Sequence, residues 1–500
     1  MLAILAARPG DLISKHDLIN AVWKDTFVTE DSLVQCITDI RRALGPEGRD
    51  VVETVPKKGY RLKPVKHIAT GRRRVRVTAL SGLVPLLVLI AGLFVWLRPL
   101  AGDDTGNERK GVVVLPFVNM SSDPEQEYFS DGITDDLTTA LSKVSGLLVV
   151  ARTSAFTYKG SDAPVAEIAD ALAVGYVVSG SVRRDGQRIR INTQLVDASS
   201  GNQMWAERYD RDLRDVFSLQ DEVVKEIVSS LSVILRADEI ARLSRTSEVD
   251  PEAYDLLLKG LDAYRRFTIP DNLEARSYFE RAVAIDPGFA RAYAELARTH
   301  TSEIQLDWVR DSRVKAETAL SLAQKALSLD PQNPYVHFAL SIIHRTLGRH
   351  EEAIASARKA IEIDPNYADG YATLAIDLNY AGRPEEGMDN IEHALRLNPR
   401  APYFYVWIKG HAHYLLGQYA EAAEALEKAR TQNSEFIPVH KLLAATLVEL
   451  GRVGEAEWEV AEIETRLPAF SLSQERASSP YKDDAVFRRY IQNLQAAGLN

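Results

Sequence analysis

From about Pro251 the chain repeats itself. Pro331, Pro365 and Pro399 stand 34 residues apart, and Gly348, Gly382, Gly417 and Gly451 follow at intervals of 34, 35 and 34. Two sets of small residues keep the same register: Ala319, Ala353, Gly387, Ala422 and Ala456, and Ala282, Ala326, Ala360, Ala394 and Ala429. Small side chains let paired helices approach closely. A period of this length holds one helix-turn-helix, which cannot bury its own apolar face, so the units must stack into a solenoid. Six units are expected, at about 252–287, 290–331 with a ten-residue insertion near Trp308, 334–365, 368–399, 403–434 and 437–468, with a capping helix over 481–497.

The remaining 250 residues are divided by charge. With 46% apolar and 26% charged residues the chain is globular rather than disordered. Its one cysteine, Cys36, cannot form an intrachain disulfide, and no Cys/His spacing suits a metal. From Met1 to Arg76 there are fifteen basic and nine acidic residues, then none of either in 77–97, and 45 against 61 after that. The uncharged stretch VTALSGLVPLLVLIAGLFVWL would reach about 31 Å as a helix, close to the roughly 30 Å of a bilayer core. A transmembrane helix is expected there. Arg72, Arg73, Arg74 and Arg76, facing Arg98, Asp103 and Asp104, then place the N-terminus in the cytoplasm and the C-terminal domains in the periplasm of a bacterial inner membrane.

In the basic head, SKHDLINAVW forms a helix with Ser14 as N-cap, and a second helix opens near Thr29 or Glu30. At 100° per residue Leu33, Ile37, Ile40 and Leu44 lie within 60° of one another and form a buried stripe. Asp31, Gln35, Thr38, Asp39 and Arg42 fall on the opposite face. The run VVETVPKKGYRL then reads as a hairpin with a basic tip. These runs, over residues 2–63, resemble the OmpR-type winged helix of transcription factors. The resemblance implies that the second helix enters the major groove, with Gln35, Thr38, Asp39 and Arg42 as groove residues. Arg41, Lys57, Lys58 and Tyr60 become backbone or wing contacts. Tyr60 is equally readable as a core ring closing the wing. The family begins with a four-stranded sheet, whereas this chain starts inside the first helix. The 1–62 module is neutral, with nine basic and nine acidic residues, so non-specific DNA affinity should be weak. The net +6 lies in the linker 64–76 and at Lys63 beside it.

Residues 111–237 alternate strand-like and helical runs, with a tight hairpin turn at Asp185-Gly186, and predict an α/β domain with a mixed sheet. The segments LPFVNMSSDPEQEYFSDGITDDL and LVDASSGNQMWAERYDRDL are similar to the TolB N-terminal-like domain. Asp131, Asp135 and Asp136 invite a metal site, but first-turn carboxylates capping a helix, with Ser130 or Asp131 as N-cap, are the simpler reading. No catalytic constellation, phosphate loop or cofactor motif is present, so neither an enzyme nor a cofactor is expected.

The 34-residue units resemble tetratricopeptide (TPR) repeats. In that family the first helix of each unit lines a groove that takes a peptide or protein. Carried over, Tyr335, Phe338, Arg345, Asn379, Tyr380, Trp407, His411 and Tyr414 line the groove here, although each ring is as readily a packing residue between helices. The whole order resembles the ToxR/CadC-like regulators. The expected fold is multidomain: winged helix-turn-helix, one transmembrane helix, mixed-sheet α/β domain and all-α TPR solenoid. Promoter DNA and a groove-bound protein or peptide are the expected partners, with a homodimer presenting paired winged helices. The alternative is an envelope scaffold carrying a vestigial winged helix.

Overall fold

The computed structural model describes residues 13–14, 52–55, 59–62 and 110–499, apart from 234, 237, 238, 240–248, 267, 306–311 and 469. The chain divides into two units, Met1–Asp103 and Asp104–Asn500. In the first, β1 (Ile13–Ser14), β2 (Val52–Val55) and β3 (Gly59–Leu62) form an antiparallel sheet with β3 in the middle. β1 pairs Ile13 with Tyr60, a strand too short for period-two alternation to betray. Tyr60 is only 4% exposed, so its ring belongs to the core of the wing. Tyr60→Ala is expected to cost the first unit about 3 kcal/mol, read as a fall of its melting transition in calorimetry. The groove helix and the Lys57-Lys58 tip lie outside the described residues.

The second unit opens on a mixed sheet. β4 (Lys110–Val114) runs parallel to β6 (Leu147–Val149) and β7 (Tyr176–Asp185), and β5 (Val118–Asn119) extends beside β7. β8 (Arg188–Asp197) and β9 (Gln203–Asp212) complete an antiparallel meander, giving the order β6-β4-β7-β8-β9. Gly186, at φ 58°, sits in the two-residue turn between β7 and β8. Val112, Val113 and Val114 are all fully buried because β4 is covered on both faces. Helices α1 (Glu127–Ser142) and α4 (Val216–Ser230) share one apolar cluster with the sheet, and the second cluster holds α2 (Arg152–Phe156) and α3 (Val165–Leu172).

Six helix pairs follow: α5 (Pro251–Tyr264) with α6 (Ile269–Ile285), α7 (Ala290–Gln305) with α8 (Ser312–Leu329), and α9 (Pro334–Thr346) with α10 (His350–Ile363). The next three are α11 (Ala368–Tyr380) with α12 (Pro384–Leu397), α13 (Tyr403–Leu415) with α14 (Tyr419–Gln432), and α15 (Ile437–Glu449) with α16 (Val453–Arg466). Helices α17 (Leu472–Ser478) and α18 (Asp484–Ala496) close the array. The periodic glycines now have a cause. Gly348, Gly382, Gly417 and Gly451 adopt φ of 70–80° just past a first helix, donating to the carbonyls of Arg345, Asn379, Tyr414 and Val448. A side chain is strained in that left-handed conformation.

One expectation is corrected. Among the described residues no helix is long and apolar enough to cross a membrane. The longest, α8, has 18 residues and breaks its apolar pattern with Arg313, Lys315, Glu317 and Lys325. The transmembrane helix is therefore removed from the fold class, and with it the inner-membrane placement with a cytoplasmic N-terminus and periplasmic C-terminal domains. The stretch 77–97 on which both rested lies outside the described residues, as does the insertion near Trp308.

Candidate functional site

The first helices of the repeats line one side of the solenoid, and the same chain occupies that side twice. The first occupant is α1. It begins at Glu127, after a turn over Pro124–Gln126 that Asp123 caps by accepting from Glu125 N. Ser130 and Asp131 are thus not caps, and Asp135 and Asp136 are not in the first turn. These carboxylates instead meet cations. Arg291 of α7 pairs with both Asp135 and Asp136, and Arg265, one residue past α5, lies 2.9 Å from Asp135. Arg152 stands 3.5 Å from Asp135 and Lys159 2.6 Å from Asp131. Burial pushes the Asp135 carboxyl up, but Arg265, Arg152 and Arg291 outweigh it and hold it below the usual carboxylate range. Tyr254 and Gln220 donate to Asp136 at 2.5 and 3.1 Å. Gly132 permits the close approach, since a Cβ there would lie 2.6 Å from Leu258 of α5.

The repeat turns bind the same domain. Ser142 donates to Asp364 at 2.6 Å, and Asn366 spans the carbonyls of Ser142 and Leu147. Ala151 N donates to Leu397 O at 2.8 Å, Asn398 to Thr153 at 2.7 Å, and Arg400 to the Tyr158 hydroxyl at 2.6 Å. Buried polar groups satisfied across an interface in this density fix one docking geometry.

Of the groove candidates, Tyr335 meets the first occupant and Tyr380, His411 and Tyr414 the second, while Phe338, Arg345, Asn379 and Trp407 find partners within the array. Tyr335 meets Thr139 of α1 at 2.9 Å and packs with Phe338 around Tyr367. Arg291 lies over the Tyr335 ring and Arg298 over Phe338. Arg345 is buried against Asp377 at 2.5 Å, and burial raises that carboxyl despite the arginine and a Ser341 hydrogen bond. Asn379 donates to Ile408 O, and Trp407 to Pro438 O at 3.1 Å. The second occupant is the segment before α18. Tyr481 packs on Tyr380 with centroids 5.0 Å apart and hydrogen-bonds His411 Nε2 at 2.8 Å. Lys482 N donates to Tyr380 O at 2.9 Å. Tyr414 accepts from Asn493 of α18 at 3.2 Å. Burial drives the His411 ring down to about 3. Sequence reasoning missed Arg265, Arg291, Asn366, Asn398 and Tyr481. Asn366 and Asn398 sit beside the periodic prolines, the one signal that pointed to them.

The candidate DNA residues Gln35, Thr38, Asp39, Arg41, Arg42, Lys57 and Lys58 lie outside the described residues. The described strands β2 and β3 pair antiparallel on either side of residues 56–58, Val55 opposite Gly59. Residues 1–62 match the family "Transcriptional regulatory protein, C terminal". The N-terminal module is a transcription-factor winged helix.

The domain after it has the same association. Residues 108–227 match "HilA/YgeH-like transcriptional regulator, second domain", and 315–368, 373–436 and 413–468 match "Tetratricopeptide repeat". The protein named "Putative adenylate cyclase 3" of Rhizobium meliloti is 45% identical over 244 residues, 49% of this chain and 42% of that protein. "Transcriptional regulator HilA" of Salmonella typhimurium is 24% identical over 347 residues, 69% of this chain and 55% of its own length. "Transcriptional activator CadC" of Escherichia coli is 35% identical over 65 residues, 12% of this chain and 13% of CadC. The chain thus spans about half the length of the first two relatives.

Proposed function

We propose that the chain is a transcription regulator whose winged helix binds promoter DNA and whose TPR unit receives the controlling protein or peptide. The observation that carries this reading is the shared order of segments. A winged helix is followed by a HilA-like second domain and repeats, and the alignment with HilA runs over 347 residues. In this reading Gln35, Thr38, Asp39 and Arg42 face base edges, while Arg41, Lys57 and Lys58 hold the phosphates. Tyr60 supports the wing from beneath. The similarity of 111–237 to TolB N-terminal-like domains belongs to the same reading, as does a homodimer placing two winged helices on paired half-sites.

The TPR groove is filled by its own chain. A partner therefore gains access by displacing the Tyr481 segment, whose Lys482–Glu351 ion pair is exposed, rather than α1 with its buried ion pairs. Only differential affinity for the opened form shifts that equilibrium.

The test is binding to a promoter fragment at several salt concentrations. Arg42→Ala is expected to weaken specific binding by about 1–3 kcal/mol and to relax specificity at one base pair. The Lys57→Ala/Lys58→Ala pair should weaken binding to all sequences and lower the salt slope by about 2. Unchanged binding in both rejects the contacts. The 45% relative favours a second reading, nucleotide cyclase activity. Conversion of ATP to cyclic AMP by the purified chain would establish it; the regulator reading expects no product above a blank.

A further inference from the structure

The edge strand β9 carries the sequence Glu207-Arg208-Tyr209-Asp210-Arg211, which reads as charge against its own reverse. Among the described residues β9 has a strand neighbour on one side only. Glu207, Arg208 and Arg211 are exposed. Charges on an edge ordinarily discourage strand pairing. Here their order selects one pairing.

Backbone direction narrows the choice. Leu213 N donates to Gln187 O at 2.7 Å, and Asp185 and Arg188 close the preceding two-residue turn. In an antiparallel ladder, bonded pairs alternate, so odd residues of β8 and β9 face each other. Ala206, Arg208 and Asp210 therefore direct their N–H and C=O away from the sheet. Asp210 O shows this, accepting from the exposed guanidinium of Arg211 at 3.3 Å. A two-fold copy must set even residues opposite even residues, so the axis falls on a residue. Centring on Glu207, Arg208, Asp210 or Arg211 opposes like charges at the axis. Centring on Tyr209 sets Glu207 opposite Arg211 of the second copy and Arg208 opposite its Asp210, each pair occurring twice.

We infer that β9 is a homodimer surface, joining two copies into one continuous antiparallel sheet about Tyr209. Arg208 and Asp210 form the hydrogen-bonded pair, and Glu207 with Arg211 lies on the helix-covered face. Arg211 already reaches Glu222 of α4 at 3.3 Å, so in the dimer its cation stands between two carboxylates. Asp210 keeps Arg190 at 2.5 Å, with Arg188 and its own Arg208 at 3.9 and 4.0 Å, and gains Arg208 of the second copy. This surface does not rest on the DNA reading.

The experiment uses the full chain with Cys36→Ser, made in two differently tagged forms, one carrying Arg208→Cys and the other Asp210→Cys. Opposed residues in a bonded pair lie about 5.5 Å apart at Cα, within disulfide reach, whereas 208 to 208 across the axis is about 8 Å and out of reach. Oxidation of the mixture is expected to give the mixed 208–210 product, with either form alone staying monomeric on a non-reducing gel. In sedimentation, Glu207→Arg should raise the dimer dissociation constant about tenfold, from two attractions turned to repulsions. Glu207→Arg/Arg211→Glu should bring it back to within about threefold of the parent. Arg208→Pro, which removes an outward N–H the monomer does not use, should weaken the dimer without lowering the melting temperature. Absence of the mixed product, a 208–208 product, or failure of the double exchange to restore the dimer overturns the proposal.

Discussion

Arg291→Ala is expected to destabilise the second unit by about 3–5 kcal/mol, because it removes a cation shared by two buried carboxylates and leaves Asp135 with Arg265 and Arg152 alone. Arg291 and its partners Asp135 and Asp136 have side chains 14, 11 and 7% exposed, so water cannot replace the guanidinium. Burial alone works against each charge, and the arginines are what keep Asp135 ionised. The same guanidinium also lies over Tyr335, so the substitution loosens α1 from α9 as well as from α7. Denaturant unfolding followed by hydrogen exchange in α1 measures the effect. Protection should fall first over residues 131–142 and at Asp364 to Asn366, which Ser142 ties to the same helix. A loss below about 1 kcal/mol would mean that this cluster does not hold the sheet domain on the repeats.

Acidification should open the other end of the groove. Among the described residues His411 is ringed by Trp407, Tyr380 and Tyr481, none of which supplies a negative charge at neutral pH, and burial alone pushes its pKa from 6.5 to about 3. The unfolded chain takes up this proton below pH 6.5, whereas the folded ring stays neutral until about 3. The folded state thus binds fewer protons throughout that window, so stability falls as pH drops. At pH 4.5 the loss attributable to this one ring is about 3 kcal/mol. His300, pushed down to about 4, and His337, His344 and His350, also lowered by burial, add in the same direction. His411→Gln, which keeps a partner for the Tyr481 hydroxyl, should flatten the profile by about the amount given for the ring. Hydrogen exchange at Lys482, whose amide bonds Tyr380, reports the local opening. A pH profile identical in the two proteins would remove His411 as the cause.

The repeats were legible because helix geometry imposes a period on the chain: the left-handed turn after each first helix admits glycine, and Gly348, Gly382, Gly417 and Gly451 mark it. The α/β domain was legible as strands and helices for the same reason, with Asp185-Gly186 locating its hairpin. What fills the groove was not legible. Nothing local distinguishes Asp135 and Asp136 as docking charges from the helix caps they resemble, because their partners Arg265 and Arg291 lie more than 120 residues away. Tyr481 reads as the first residue of a capping helix, while the helix begins at Asp484 and leaves Tyr481 on the extended approach that reaches His411. Aromatics at Tyr335, Tyr380 and Trp407 were read as a surface for a partner. Tyr335 turns out to meet α1 and Tyr380 the Tyr481 segment, while Trp407 packs on Phe436 and bonds Pro438 O within the array, pairings that only the packing of separate segments decides. The apolar stretch 77–97 shows the converse: a pattern strong in the sequence that lies outside the described residues, among which no helix is long and apolar enough to cross a membrane.

The central claim is that the winged helix reads promoter DNA, and genome-wide occupancy of the tagged full chain tests it most directly. Discrete sites sharing one motif, lost in Arg42→Ala and weakened everywhere by Lys57→Ala/Lys58→Ala, are the predicted result. An occupancy map with no sites above background, or one indifferent to Arg42 and to the wing lysines, would contradict it.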